Sequence, residues 1–231
     1  MKPVAGIARI QHIFSTPLLV ERIDDPQFNL ALEEAILARR SEHPGVQRSN
    51  VGGWHSDLQF LDWGGAPARR LFDHVIALAN KNTVHKGGGE VVTEWRAEGW
   101  ANVSQNGATN LLHVHGGCYW SAVYYVRIDE GKGGQLVFYD PRMPTLAMHA
   151  PHLRFRNGNG EREVRVKPEA GLLILFPSWL QHAVDAWYGE GFRISIAINL
   201  TAVRVAVPQG ALLPASRGAK GAATAPAAKD Q

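Results

Sequence analysis

Three histidines and one arginine are the residues of this chain that could act together in a chemical reaction. His113 and His115 are separated by a single valine, and His182 and Arg193 follow far downstream. Side chains at positions i and i+2 of a strand point to the same face, so two imidazoles can meet at one point and a later strand can deliver the third. Three neutral imidazoles suit iron, zinc, copper or nickel.

Arg193 opens an apolar stretch, Arg-Ile-Ser-Ile-Ala-Ile-Asn, in which Ser195 lies on the same face as the arginine. A cation inside such a strand is unfavourable unless it is paired, and a bound carboxylate would pair it. A guanidinium can form two parallel hydrogen bonds to a carboxylate, and a hydroxyl can add another. A metal beside a carboxylate anchor indicates an enzyme that binds a carboxylate cosubstrate at iron.

A structural interpretation of the histidines stays open at this point. The chain has ten histidines, so one His-x-His pair can arise by chance, and short motifs give false positives. The context favours a metal, because His113 and His115 end an apolar stretch just before Gly116-Gly117. His182 likewise follows an apolar stretch and a proline turn.

The composition is that of a globular protein with one domain. The 231 residues can bury a sizeable core, and the basic residues behind the net charge of +3 are scattered, which argues against nucleic-acid binding. The single cysteine, Cys118, excludes an intramolecular disulfide and fits a reducing compartment. We see neither a signal peptide nor an apolar run long enough for a membrane span, and therefore expect a cytoplasmic protein.

The first part of the chain, residues 1–89, is expected to be helical. Asp25-Pro26 is typical of a helix start, because aspartate caps free N–H groups and proline fits the first helical position. A second helix is expected to begin near Ala66-Pro67.

A glycine-bearing segment, residues 49–56, separates these helices and contains Trp54 and His55. We expect a loop here, whose two aromatic side chains form a lid or a pocket wall. An ordered loop closed by a tryptophan explains the segment equally well.

The second part, residues 90–207, is expected to form a β core. Apolar stretches of strand length recur between glycine, asparagine and proline clusters, at 95–104, 111–115, 121–128, 134–139, 163–167, 171–176 and 192–200. Such strands favour a sandwich or barrel, and helices that precede strands argue against βαβ units. Residues 1–207 are thus expected to form one domain, and the Ala/Gly/Pro-rich residues 208–231 a flexible tail.

Taken in order, these segments resemble the 2-oxoglutarate- and Fe(II)-dependent oxygenases, and more narrowly a bacterial and phage family of 2OG-Fe(II) oxygenases. The matching segments cover nearly the whole chain to about residue 200: Phe14–Leu18, Ser49–Ser56, Trp100–Asn102, His113–His115, Ser121–Val126, Phe138–Arg142, Phe176–Leu180, His182 and Arg193–Asn199. Each segment alone is weak, and together they are specific.

The resemblance implies a mainly β fold with flanking helices, the double-stranded β-helix, which is a jelly-roll or cupin-like barrel of two sheets. It also implies an iron site of two histidines and one carboxylate, in a His-x-Asp/Glu…His pattern. This chain departs from that pattern, since position 115 holds histidine. We favour His113, His115 and His182 as ligands; a second register, in which only His115 and His182 bind the metal, stays open.

The cofactors implied by the resemblance are Fe(II) and the cosubstrate 2-oxoglutarate. Arg193 would bind the distal carboxylate of 2-oxoglutarate, and Ser195 would add a hydroxyl bond. Asn102 and one tyrosine of the Tyr124–Tyr125 pair, here Tyr124, are expected as further donors. One inward and one outward core aromatic would explain that tyrosine pair equally well.

Three aromatic residues are expected near the substrate, namely Trp54, His55 and Trp120. For Trp120 a place in the core is the simpler interpretation, because seven tryptophans are more than one pocket needs.

The implied reaction is hydroxylation of a C–H bond in a small molecule, amino acid or peptide, with release of succinate and CO₂. The sequence does not determine the substrate, nor does it separate hydroxylation from halogenation or another oxidation. A homodimer is the assembly considered. The alternatives are a cupin-type three-histidine metalloenzyme that does not use 2-oxoglutarate, and a non-catalytic module that binds metal or carboxylate.

Overall fold

A computed structural model describes residues 14–86, 92–142 and 162–206 of the chain. The expected boundary at residue 90 and the expected tail at 208–231 lie outside the described residues. The single domain over residues 1–207 stays a prediction for the same reason.

Residues 14–86 contain three helices: α1 (Pro26–Glu42), α2 (Phe60–Trp63) and α3 (Gly65–Lys81). Helix α1 begins as the sequence predicts, because the Asp25 carboxylate accepts a hydrogen bond from the Phe28 N–H and Pro26 occupies the first turn. In the described part of the chain, no helix is both long and apolar enough to cross a bilayer.

The described strands are β1 (Leu19–Arg22), β2 (Asn50–His55), β3 (Val92–His113), β4 (Trp120–Ile128), β5 (Gly131–Gly133), β6 (Leu136–Tyr139), β7 (Glu163–Val166), β8 (Leu172–Pro177), β9 (His182–Val184), β10 (Trp187–Gly189) and β11 (Arg193–Ala206). Two sequence expectations are corrected. Residues 50–55 are a strand paired with β3, not a loop, and the two stretches 95–104 and 111–115 belong to one long strand that ends at His113.

Nine of the described strands form one curled antiparallel sheet in the order β1-β8-β4-β11-β3-β9-β6-β7, with β2 also paired to β3, and β5 pairs with β10 in a separate two-stranded sheet. Strand β3 belongs to both halves of the sheet, because residues 92–104 pair with β11, whereas Asn110 and His113 pair with β9. The pairing with β9 shifts between these two residues. Such an irregularity bends a strand, and here it folds one half of the sheet over the other. This arrangement is the expected double-stranded β-helix.

The alternation of side chains along β11 gives this strand two chemically different faces. Ile194, Ile196 and Ile198 of β11 are buried in the cluster that includes the apolar residues of α1 and α3. Arg193 and Ser195 alternate with these isoleucines and therefore point to the opposite face, between the two halves of the sheet. Burying each isoleucine stabilises the fold by about 2 kcal/mol. The packing of the isoleucines against the helices thus fixes the strand that carries Arg193 and Ser195.

A carboxylate fixes the end of β11 beside Arg193. Asp129 accepts two hydrogen bonds from the Arg127 guanidinium, at 2.7 and 2.8 Å, and one from the Phe192 N–H at 2.7 Å. Arg127 also bonds Glu33 of α1. Hydrogen bonding from Arg127 holds the pKa of Asp129 below its usual value of 3.8.

We expect Asp129→Asn to lower the free energy of unfolding by about 1 kcal/mol at pH 7, a small value because the ion pair is partly exposed to solvent. Since the pKa is lowered in the folded state, the carboxylate stabilises the fold above the unfolded pKa of about 3.9, and this stability is lost as the pH falls through the folded pKa. Urea unfolding at pH 7, 5 and 3 measures the difference between the two proteins. The difference in free energy of unfolding should persist at pH 5 and shrink at pH 3. A difference that is the same at all three pH values would contradict a lowered pKa of Asp129 in the folded protein.

Candidate metal and carboxylate site

The three histidines meet where the two halves of the sheet are joined. His113 is the last residue of β3 and pairs with His182, the first residue of β9. His115 lies just beyond β3, and its N–H donates to the Ser178 carbonyl at 3.0 Å. The nitrogens that could bind a metal lie within 4.8 Å of one another. Residues far apart in sequence thus form one potential three-nitrogen site.

Backbone carbonyls determine which ring nitrogens are available. The Nδ1 atom of His113 lies 2.6 Å from the Leu111 carbonyl oxygen, and Nδ1 of His182 lies 2.8 Å from that of Leu180. A carbonyl only accepts hydrogen bonds, so each Nδ1 carries the proton and each Nε2 keeps a free lone pair. Outer hydrogen bonds of this type orient the histidines that bind metals.

Burial also keeps the three rings neutral. Desolvation, with a further contribution from the neighbouring imidazoles, lowers the pKa of His182 to about 3 and that of His115 to about 4. Burial lowers the pKa of His113 as well. Neutral imidazole is the form that binds a metal, so no proton has to leave these rings first at neutral pH.

Aromatic rings surround the histidine cluster. The Trp100 ring centre lies 5.6 Å from that of His115, and the Phe176 ring centre lies 4.9 Å from that of His182. His55 stacks on Trp100 at 5.4 Å with an angle of 12° between the planes, and its Nδ1 lies 2.6 Å from the Ser56 carbonyl oxygen. His55 therefore supports a wall of the site from behind, instead of forming a lid.

Arg193 is almost fully buried, and none of its hydrogen-bond partners in the described residues is an acid. Its Nη1 donates to the Ser104 hydroxyl at 2.8 Å, and its guanidinium carbon lies 5.7 Å from the Tyr125 ring centre. The Nε atom is buried and has no hydrogen-bond partner among the described residues. Burial lowers the pKa of Arg193 and raises that of Tyr125. A buried cation of this kind favours an anionic partner.

Further polar atoms lie beside Arg193 on the same face. Ser195 pairs with Asn102 of β3 on one side and with Tyr125 of β4 on the other. In the part of the chain that the structure describes, the Asn102 Oδ1 and the Tyr125 hydroxyl are also buried without a hydrogen-bond partner. One cavity connects this polar end to the histidines, and its wall includes Trp100, Asn102, Asn110, His113, His115, Val123, Phe176, His182, Arg193, Ser195 and Ala197.

Three residues that were predicted for the site, Tyr124, Trp120 and Trp54, do not line this cavity. The Tyr124 hydroxyl donates to Asn29 of α1 at 2.5 Å, so Tyr124 faces the helices and Tyr125 faces Arg193. Trp120 donates its indole N–H to Thr83, and Trp54 donates its own to the His43 carbonyl. Both tryptophans belong to the helical side of the core or pack against it.

Of the Tyr124–Tyr125 pair the sequence analysis chose Tyr124, whereas Tyr125 lies beside Arg193. The alternation along the sequence predicts one shared face for Trp100, Asn102 and Ser104, with Trp100 in a wall or the core. No role in the site was predicted for Ser104 or for the Phe176 ring.

Comparisons with known proteins agree with this geometry. Residues 98–199 match the model of a family described as "Putative 2OG-Fe(II) oxygenase", and all three histidines and Arg193 lie within that range. No curated protein matches the sequence.

Several solved structures are similar in fold. A prolyl hydroxylase from Trichoplax adhaerens, in complex with a hypoxia inducible factor peptide, has 15% identity and a TM-score of 0.58, over 80% of this chain and 83% of that one. A Pseudomonas putida prolyl-4-hydroxylase has 19% identity and a TM-score of 0.57, over 81% and 94%. HygX from Streptomyces hygroscopicus, with nickel and 2-oxoglutarate bound, has 14% identity and a TM-score of 0.55, over 81% and 84%. At these identities the likeness shows the fold.

The described residues fit the cofactors that this family uses. Three neutral imidazoles suit Fe(II), and a buried arginine with unpaired polar neighbours suits a carboxylate. Residues 98–199 of the chain therefore match the 2OG-Fe(II) oxygenase family, and the described residues have the fold of the two prolyl hydroxylases and HygX.

Proposed function

We propose that this protein is a 2-oxoglutarate- and Fe(II)-dependent oxygenase that hydroxylates a C–H bond of a small molecule, an amino acid or a peptide, with His113, His115 and His182 as the iron ligands. The observation that carries the proposal is one cavity with two chemically different ends. Three potential metal donors lie within 4.8 Å of one another at one end, and a buried, incompletely bonded guanidinium lies at the other. A dicarboxylate with a keto group at one end fits both.

Each residue has a stated task in this proposal. Arg193 binds the distal carboxylate of 2-oxoglutarate, and Ser104 holds the guanidinium through its 2.8 Å hydrogen bond. Ser195 and Tyr125 add hydroxyl groups beside that carboxylate. Bound iron supplies the activation of O₂ that converts 2-oxoglutarate to succinate and CO₂ and oxidises the substrate.

The walls of the cavity exclude water from the reacting atoms. Trp100, Phe176 and Val123 line it, and all three side chains are mainly or wholly apolar. A dry cavity strengthens the attraction between Arg193 and a carboxylate and limits side reactions.

The ligand set determines the charge at the metal. Three neutral histidines leave the full charge of Fe(II) uncompensated, whereas two histidines and a carboxylate would remove one unit. The near carboxylate of 2-oxoglutarate would compensate one of the two charges of Fe(II), and the far carboxylate would pair with Arg193. We infer that 2-oxoglutarate contributes more to metal retention here than in a site with a carboxylate ligand.

Turnover tests the proposed function directly. The protein is loaded with Fe(II) without oxygen, 2-oxoglutarate and air are added, and succinate is measured by NMR. We expect slow succinate formation with no added substrate, and none in a sample loaded with Zn(II). Unchanged 2-oxoglutarate in the iron-loaded protein would contradict the proposal. The expected homodimer, cytoplasmic location and lack of nucleic-acid binding stay predictions.

Gly134 packs against the proposed carboxylate anchor and offers a further prediction. Its φ is +65°, and a Cβ there would lie 2.9 Å from Cδ of Arg193. Gly134→Ala should therefore displace the guanidinium, and we expect about tenfold weaker 2-oxoglutarate binding, on the scale of one lost charged hydrogen bond. Calorimetric titration of the iron-free protein measures this affinity.

Gly107→Ala is the matched control for that variant. Gly107 has a similar φ of +82°, but a Cβ there meets nothing within 4 Å. Both substitutions add comparable backbone strain of about 1 kcal/mol, so both should lower the melting temperature. Only Gly134→Ala should weaken 2-oxoglutarate binding; equal affinities in the two variants would mean that Gly134 does not position Arg193.

A further inference from the structure

Polar side chains cross the inner face of the sheet at the level of the histidines. Glu98, Asn199 and Ser121 lie opposite one another on β3, β11 and β4, and Ser121 lies opposite Phe176 on β8. Residues directly opposite in antiparallel strands share a face. We call Glu98, Asn199 and Ser121 the polar row; it lies on the same face as Phe176, whose ring packs against His182.

The polar row lies at the histidine end of the inner face, far from Arg193. Arg193, Ser195, Ala197 and Asn199 alternate along one face of β11, so Asn199 is about 20 Å from Arg193 at roughly 3.3 Å per residue. If 2-oxoglutarate spans from Arg193 to the histidines, as the proposed function requires, it occupies the near part of this face. The rest of this face, which holds the polar row, is then left for the substrate.

The polar row has an ordered end and an unpaired end. The Ser121 hydroxyl donates to the Asn199 Oδ1 at 2.8 Å, and both side chains are buried. This bond fixes the Asn199 amide with its NH₂ group free to donate elsewhere. Glu98, on the neighbouring strand, is half-buried and forms no hydrogen bond or ion pair with the described residues.

A basic neighbour does not neutralise Glu98. Arg96 is two residues away on the same face, is exposed, and makes no ion pair with Glu98. The same spacing does allow a pair elsewhere, since Glu163 and Arg165 on β7 approach to 2.9 Å. A half-buried carboxylate without a cation is unfavourable, and a cationic ligand would relieve this.

Resting on the proposed function, we propose that the substrate carries a protonated amine that binds Glu98. In this assignment Glu98 is the substrate-binding residue and Asn199 is a positioning residue. On substrate binding the Asn199 amide would donate to the Glu98 carboxylate and orient it, and the Ser121 hydroxyl holds the Asn199 amide through its 2.8 Å hydrogen bond. The amine bound by Glu98 and the carbon that is oxidised at the iron then belong to the same substrate molecule.

A matched pair of probes tests this inference. N-acetyl-L-lysine amide and N-acetyl-L-norleucine amide differ at the end of the side chain, where lysine carries an ammonium and norleucine a methyl group. Each is titrated by calorimetry, without oxygen, into protein loaded with Fe(II) and 2-oxoglutarate. We expect the lysine probe to bind about tenfold more tightly, the scale of a charged hydrogen bond, and the preference to disappear in Glu98→Gln.

Glu94→Gln is the matched control, because Glu94 lies on the same strand and is exposed. It should keep the preference for the lysine probe. Ser121→Ala should reduce the preference only in part, since it removes the group that holds Asn199.

Equal affinity for the two probes, no binding of the lysine probe, or an undiminished preference in Glu98→Gln would each overturn the inference. These outcomes differ from failure of the proposed function, in which the native protein would not bind 2-oxoglutarate at iron at all.

Discussion

His182→Ala is expected to lower the affinity of the protein for Fe(II) by at least about a hundredfold. His182 is buried, its Nδ1 is bonded to the Leu180 carbonyl, and its Nε2 faces the other two rings. Loss of a residue that only supports a metal ligand typically weakens metal binding by about 10- to 100-fold, so loss of a ligand should have a larger effect. Anaerobic equilibrium dialysis with iron analysis measures the affinity.

His74→Ala is the control for this variant, because His74 is partly exposed and bonds Glu21 away from the site. It should bind iron as the native protein does. Circular dichroism should show that His182→Ala is folded, since the lost ring leaves only a small cavity beside Phe176. If folded His182→Ala binds iron with native affinity, His182 is not a ligand of the metal.

The same measurement on His113→Ala separates the two ligand registers. If three histidines bind the metal, His113→Ala should weaken iron binding about as much as His182→Ala does. If only His115 and His182 bind it, the effect should be several-fold smaller. The orientation of the His113 ring by the Leu111 carbonyl favours the first result.

Arg193→Ala is expected to weaken 2-oxoglutarate binding by about a hundredfold, while Fe(II) binding changes little. Removal of one member of a buried, hydrogen-bonded charge pair costs about 3 kcal/mol, which corresponds to that factor. Arg193 lies at the far end of the cavity from the histidines, so the metal site keeps its donors. Calorimetric titration of iron-loaded protein with 2-oxoglutarate, without oxygen, measures the effect.

Two further variants make that result specific. Arg204→Ala removes an exposed arginine from the same strand and should leave the affinity unchanged. Arg193→Lys keeps a positive charge but loses the planar pair of donors, so we expect an intermediate affinity. If Arg193→Ala binds 2-oxoglutarate within about threefold of the native protein, the guanidinium is not the anchor.

The sequence predicted the chemistry of the site better than its walls. The i and i+2 spacing of His113 and His115 limits where their rings can point, and Arg193 and Ser195 share a face in any strand. The fold class followed from helices that precede many short strands and from the family resemblance. These features are local in the sequence, so one chain is enough to find them.

The choice between Tyr124 and Tyr125 depended on a feature that the sequence does not display. Arg193 pairs with Ile128, yet Ser195 pairs with Tyr125, because one extra residue of β4 is accommodated between them. A shift of one residue turns every later side chain of the strand to the other face. The shift places Tyr125 beside Arg193 and Tyr124 against α1.

Residues 50–55 were also beyond prediction from the sequence alone. Two adjacent glycines, Gly52 and Gly53, are typical of a loop. The segment becomes a strand because β3 offers it an edge with which to pair, and the pairing shifts between Val51 and Gly53. Such a partner belongs to the tertiary structure and leaves no local signal.

The most direct test of the central claim is anaerobic titration of the protein with Fe(II) and then 2-oxoglutarate, followed by visible absorption. The account predicts a charge-transfer band when both are present, with no band in His182→Ala and a band that needs a much higher 2-oxoglutarate concentration in Arg193→Ala. If the native protein binds iron but shows no band at saturating 2-oxoglutarate, the histidine cluster and Arg193 do not form one oxygenase site.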